Sequence, residues 1–172
     1  SGAVTHQDSE GNKGITKAGE VQVMSAGTGI LHSEYNKTKE PLTFYQIWIE
    51  TNKNDVTPRW ESKKFPRKQA NALTLLASGY AEDKDAALFI NQEARIYGGT
   101  LAKGTIVEHD ITHQAYILAS SGMFKVEAIP NTSSKTKAIT MNKGDGAEVT
   151  QSNSIILRAT TDCEIIIIDT ID

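Results

Sequence analysis

Short runs of alternating apolar and polar residues, separated by turn-forming clusters, make up most of the chain. This period-two pattern predicts antiparallel β structure. Ala3-Val4-Thr5-His6 leads into the turn cluster Asp8-Ser9-Glu10-Gly11-Asn12. Val21-Gln22-Val23-Met24 leads into Ser25-Ala26-Gly27-Thr28-Gly29, where two glycines permit a tight corner. Phe44-Tyr45-Gln46-Ile47-Trp48-Ile49 reads as a buried strand with Trp48 in a core, ending at the polar loop 51–57 and Pro58. A second series follows Pro66: Leu73-Thr74-Leu75-Leu76, Ala94-Arg95-Ile96-Tyr97, Ala115-Tyr116-Ile117-Leu118, Phe124-Lys125-Val126-Glu127, Ser154-Ile155-Ile156-Leu157 and Glu164 to Ile168. The best helix candidate, Ala81-Glu82-Asp83-Lys84-Asp85, predicts one turn inside a loop.

Many short strands at near-even spacing argue for sandwiches or barrels. The polar stretch Arg67-Lys68-Gln69-Ala70 divides the two strand series, so two β units are expected, 1–68 and 69–172. An internal echo supports duplication. Lys17-Ala18-Gly19-Glu20-Val21 and Asn142-Lys143-Gly144-Asp145-Gly146 each place a glycine and a carboxylate just before an apolar strand.

Composition narrows the class. The 172 residues carry 18 basic and 21 acidic side chains, a net charge of −3, with no Lys/Arg block, so nucleic acid is a poor first guess for a partner. The single cysteine, Cys163, forms no internal disulfide, and its apolar run predicts a buried thiol in a reducing compartment. The longest uncharged apolar stretch, Ile165 to Ile168, falls far short of the roughly 20 residues that cross a bilayer, and no secretory leader is read at the start. A soluble cytoplasmic protein without a membrane partner is expected.

The densest chemistry lies in Gly27-Thr28-Gly29-Ile30-Leu31-His32-Ser33-Glu34-Tyr35-Asn36. On a strand, residues two apart project from the same face, so the His32 imidazole and the Glu34 carboxylate can converge on one point. One nitrogen and one oxygen donor suit a divalent transition metal. The plain alternative is a surface His and Glu on a polar strand face. Met24 from the preceding strand, and Gln46 or Trp48 from the following one, are the expected inward neighbours, with Met24 and Gln46 as pocket candidates. His6 is assigned a structural or surface role. His109 and His113 would share a strand face only if no turn intervened, and Asp110 and Thr112 between them predict a turn.

The run from Gly19 to Asn36, preceded by His6-Gln7-Asp8-Ser9-Glu10-Gly11-Asn12 and followed by Tyr45-Gln46-Ile47-Trp48-Ile49, resembles the pirin family in order and spacing over roughly residues 2–66. The remainder resembles the diverged second half of the same bicupins by strand order and the turn at Lys143-Gly144-Asp145-Gly146. The resemblance implies an all-β bicupin of two antiparallel barrel or jelly-roll halves. The N-terminal half would be incomplete and carry a remnant of the metal motif, and the C-terminal half would be metal-free. It further implies a mononuclear divalent metal, usually iron, held by three histidines and one glutamate. His32 and Glu34 match the third and fourth of these, and Glu34 doubles as the catalytic proton acceptor. The first two belong to a His-x-His strand that would precede Ser1, and no His-x-His occurs in the chain. The chain is therefore expected to be truncated, poorly occupied by metal, and prone to pair with a second copy through exposed strand edges.

Three functions follow from the resemblance. The first is a quercetinase-like dioxygenase acting on flavonol-type, small aromatic substrates in the intact protein. The second is a non-catalytic cupin that acts as a metal-sensitive regulatory, protein-binding module. The third is an inactive barrel remnant.

Overall fold

In a computed structural model, which describes residues 1–65, 72–130 and 138–171, the chain is almost entirely β. The fifteen strands among the described residues are β1 (Ala3–Asp8), β2 (Lys13–Lys17), β3 (Glu20–Ser25), β4 (His32–Tyr35), β5 (Arg59–Lys64), β6 (Thr74–Ser78), β7 (Leu88–Phe89), β8 (Ala94–Leu101), β9 (Ile106–Asp110), β10 (Gln114–Ser121), β11 (Met123–Pro130), β12 (Ile139–Asn142), β13 (Gly146–Val149), β14 (Ser152–Ala159) and β15 (Cys163–Thr170). A single 3₁₀ turn among the described residues, Ala81–Asp83, stands at the helix candidate 81–85. No helix among the described residues is long and apolar enough to cross a membrane.

The chain divides into two compact units. The first comprises Ser1–Phe65 and Ala77–Glu93; the second comprises Ala94–Asp172 and Pro66–Leu76, in each case so far as described. The expected boundary at 67–70 lies outside the described residues.

In the first unit, β2, β1 and β4 form an antiparallel sheet in that order, and β3 pairs with β5. Alternation along β1 buries Val4, His6 and Asp8 on one face. The register sets His6 opposite Gly14 on β2 and opposite Glu34 on β4, and sets Asp8 opposite His32. Ala77 and Ser78 at the end of β6 pair in parallel with β7.

The second unit packs two sheets, β13-β10-β15-β8-β6 and β12-β11-β14-β9. Alternation along β15 points Cys163, Ile165, Ile167 and Asp169 to the buried side. Ile117, Phe124, Ile155, Leu157, Ile165 and Ile167 are closed to solvent in one apolar cluster, and Cys163 joins it as expected. Burial pushes the Cys163 thiol pKa up, which keeps it protonated and unreactive.

The internal echo has a physical basis. Before β3, the backbone N–H of Lys17 donates to the Glu20 carboxylate at 2.8 Å; before β13, that of Asn142 donates to Asp145 at 2.7 Å. Gly19 and Gly144 take positive φ angles of 83° and 91° in these two turns.

One expected strand is absent. Residues 44–49 are irregular, with Phe44, Tyr45 and Ile47 at least 40% exposed and Trp48 at 87%, so Trp48 is not a core residue. A strand persists only where a neighbour takes up its backbone N–H and C=O groups, and none of the described strands pairs with this segment. Alternation alone did not supply that partner.

Candidate functional site

The site grows from the turn that closes β1. Asp8 Oδ1 accepts the backbone N–H groups of Glu10 and Asn12 at 3.0 and 2.9 Å, and its Oδ2 accepts the Asn12 side-chain amide at 2.9 Å. Oδ2 also lies 2.9 Å from Nε2 of His6, whose side chain is 1% exposed. Burial acts to raise the Asp8 pKa, but the hydrogen bonds from His6 and Asn12 outweigh it and lower it to about 2. The ionised carboxylate is acceptor-only, so Nε2 of His6 carries the proton of that bond.

His6 is sandwiched. The indole of Trp60 on β5 stacks on it at 4.8 Å and 6°, and His32 lies on it at 5.8 Å and 22°. The indole fits because Gly14 is directly opposite His6: a Cβ at residue 14 would overlap the ring of Trp60. Nδ1 of His6 is buried and has no hydrogen-bond partner among the described residues, with Glu34 Oε1 at 3.9 Å.

Glu34 is partly buried and shares its face of β4 with His32, as the strand spacing requires. Its Oε1 accepts a hydrogen bond from the side-chain amide of Gln22 on β3, and the Gln22 carbonyl accepts the hydroxyl of Thr16 on β2 at 2.8 Å. His32 is exposed and, with Gln7, Asp8, Ser9, Leu31 and Ser33, lines a surface recess.

The remaining sequence candidates lie elsewhere. Met24 is at the margin, 37% exposed and paired across β3–β5 with Trp60. Gln46 corrects an expectation: it is exposed in the irregular segment, and no hydrogen bond of the site involves it. His109 and His113 do not share a strand face. His109 is in β9 with its ring edge-on to Tyr97 at 4.5 Å, whereas His113 lies in the bend at 112–113, whose two backbone N–H groups donate to the buried Asp169 at 2.7 and 3.1 Å. Burial holds the His109 pKa below its usual value.

Sequence reasoning missed Asp8, Thr16, Gln22 and Trp60 as members of the site and gave His6 no central place. Two signals were available. The polar side chains His6 and Asp8 alternate with Gln7 on β1, and Gln22 lies two residues before Met24 on β3.

As a metal centre, this arrangement offers His32 and Glu34, one nitrogen and one oxygen donor. His6 is committed through Nε2 to Asp8, and no group of three His, Cys, Asp or Glu that could hold a metal occurs among the described residues. Structural and catalytic transition-metal sites use three or four protein donors. The described residues therefore do not fit a metal on their own.

Paired antiparallel sheets in both units, joined by short turns, are the architecture of an all-β cupin protein. Residues 1–49 match the family described as Pirin, and 75–170 match the Quercetinase C-terminal cupin domain. A provisionally named quercetin 2,3-dioxygenase of Zymomonas mobilis is 41% identical over 98% of this chain and 68% of its own length. A quercetin 2,3-dioxygenase of Escherichia coli is 34% identical, again over 98% of this chain and 68% of its own. The crystal structure of YhhW from E. coli superposes with a TM-score of 0.85 at 33% identity over 98% of this chain and 68% of that one, and the same bacterial pirin has been solved in complex with nickel(II). The chain belongs to the pirin family.

Proposed function

We propose that this protein is a quercetinase-type dioxygenase acting on a flavonol-type substrate, with His32 and Glu34 as the share of a mononuclear divalent metal site, iron in the first instance, that this sequence carries. The observation that carries the reading is the β4 pair. Both side chains project from one face, beside the buried His6–Asp8 couple, and one oxygen of Glu34 is held by Gln22. Relatives named quercetin 2,3-dioxygenase support the same activity. Two donors neither hold a transition metal firmly nor set its geometry, so the chain by itself is expected to be inactive.

The test compares flavonol consumption under oxygen in three iron-supplied samples: this chain, a version extended upstream of Ser1 by a strand bearing His-x-His, and the extended version carrying His32→Ala. Turnover is expected only in the extended parent. Equal activity in the chain and the extended protein would place the site elsewhere. A regulatory, partner-binding reading is favoured by the exposed run Phe44, Tyr45, Ile47 and Trp48. Stoichiometric metal without turnover in the extended parent would select it.

A further inference from the structure

The β2-β1-β4 sheet ends at β4, whose far edge is paired with no described strand. The C=O of Leu31 accepts the N–H of Ser9 at the end of β1 at 2.8 Å, and the Leu31 N–H donates to Ser9 Oγ at 3.1 Å. Backbone groups of an antiparallel strand turn to alternate sides, so those of Leu31, Ser33 and Tyr35 face β1 and those of His32 and Glu34 face the open edge. The side chains beside that edge are equally uncommitted. The His32 ring rests on His6, and Gln22 takes Oε1 of Glu34, which leaves the His32 nitrogens and Glu34 Oε2 without a hydrogen bond among the described residues. On the opposite face Leu31 and Tyr35 are 80% and 55% exposed. An open strand edge is a template for pairing with another chain.

We propose that β4 is a dimerisation strand, and that it pairs antiparallel with β4 of a second copy of this chain about a twofold axis at Ser33. The occupant follows from self-complementarity. Edge-facing backbone groups must meet edge-facing groups, so His32 and Glu34 of one copy can oppose only the even-numbered residues of the other. An axis at His32 sets imidazole against imidazole, and an axis at Glu34 sets carboxylate against carboxylate. With the axis at Ser33, His32 of each copy stands opposite Glu34 of the second copy, so that a free imidazole nitrogen meets the free Oε2 twice over. Opposite charges directly across a ladder stabilise it and like charges destabilise it. The same register sets Leu31 of each copy against Tyr35 of the other on the opposite face and covers the two exposed apolar side chains. Each contact then occurs twice, as an isologous twofold interface requires. This inference goes beyond the dioxygenase reading and does not depend on it, because every pair forms in the chain by itself.

Sedimentation of the 172-residue chain is expected to show a monomer–dimer equilibrium. His32→Glu and Glu34→His each set like groups opposite one another, and each is expected to raise the dimer Kd about tenfold or more. The double exchange of His32→Glu with Glu34→His restores both pairs in reversed order and is expected to bring Kd back to within about threefold of the parent. A second variant tests the register without touching those two residues. Ser33 lies on the axis in a non-hydrogen-bonded pair, where Cα atoms stand about 4.5 Å apart, within the span that a disulfide bridges. The single native cysteine, Cys163, is buried. Mild oxidation is therefore expected to give a covalent dimer from Ser33→Cys and none from Ser62→Cys, at an exposed position of β5. A chain that stays monomeric at every concentration overturns the proposal, as does equal cross-linking at 33 and 62. A double exchange that keeps the parental far-UV spectrum but leaves Kd where the single variants put it overturns it too. Backbone amides of His32 and Glu34 that are protected from exchange in the upstream-extended protein but not in the concentrated chain would assign the edge to a strand of the same polypeptide, and the proposal would fall.

Discussion

Among the described residues of the second unit, Phe124, Leu101, Ile117, Met141, Ile155, Leu157, Ile165 and Ile167 are the large side chains shut off from water. In the first unit the corresponding side chains are Leu88 and His6. The first unit also leaves Leu31, Phe44, Tyr45 and Trp48 more than half exposed. The second unit is held by area removed from water, a non-directional force that tolerates change in any residue of similar size and polarity. The first encloses an imidazole, two carboxylates and an amide that require specific partners, since burying a polar group costs free energy unless its hydrogen bonds are made. Apolar burial and the polar cluster around His6 thus fall in different units, and substitutions should separate their effects.

The largest effect is expected from Phe124→Ala, which empties a site at 0% exposure and should cost about 3–5 kcal/mol in urea unfolding. Trp48→Ala, at an 87% exposed position, should stay within about 0.5 kcal/mol. A loss above about 1 kcal/mol for Trp48→Ala would mean that the segment is covered in solution, and the contrast between the halves would then shrink.

Gly14→Ala should be intermediate. Its new Cβ must displace the Trp60 indole from His6, at about 1–3 kcal/mol, with a change in Trp60 fluorescence read in a Trp48→Phe background. Parental fluorescence in that variant would show that the stack is not rigid and that the first unit yields to an added methyl group.

Acid tests the polar side of the comparison. The folded-state pKa of Asp8 is about 2, below the ordinary value of 3.8. Its contribution is therefore complete above the ordinary value and is lost as pH falls towards about 2, because the unfolded chain takes up the proton first. The melting temperature should fall between pH 4 and 2 more steeply in the parent than in Asp8→Asn. Parallel curves would mean that the turn at 8–12 is not held by this carboxylate.

What the sequence determined by itself was local or strictly periodic. The turn at Asp8–Asn12 could be read because a short acidic side chain caps the backbone next to it. The matching turns before β3 and β13 could be read for the same reason, and the burial of Cys163 could be read from the apolar run that it opens. The sharing of one face by His32 and Glu34 needed only the strand period. Tertiary structure decided everything that depends on a partner distant in sequence. Strand 44–49 did not form, because alternation specifies which side a residue faces and supplies no neighbour to bond with. The place of Trp60 over His6, the space left by Gly14 and the reach of Gln22 to Glu34 each join the β2-β1-β4 sheet to the β3–β5 pair, a meeting that alternation within one strand does not specify. A side chain's own strand dictates its direction, but what it meets there depends on which strands fold against it, and that is a property of the packed structure alone.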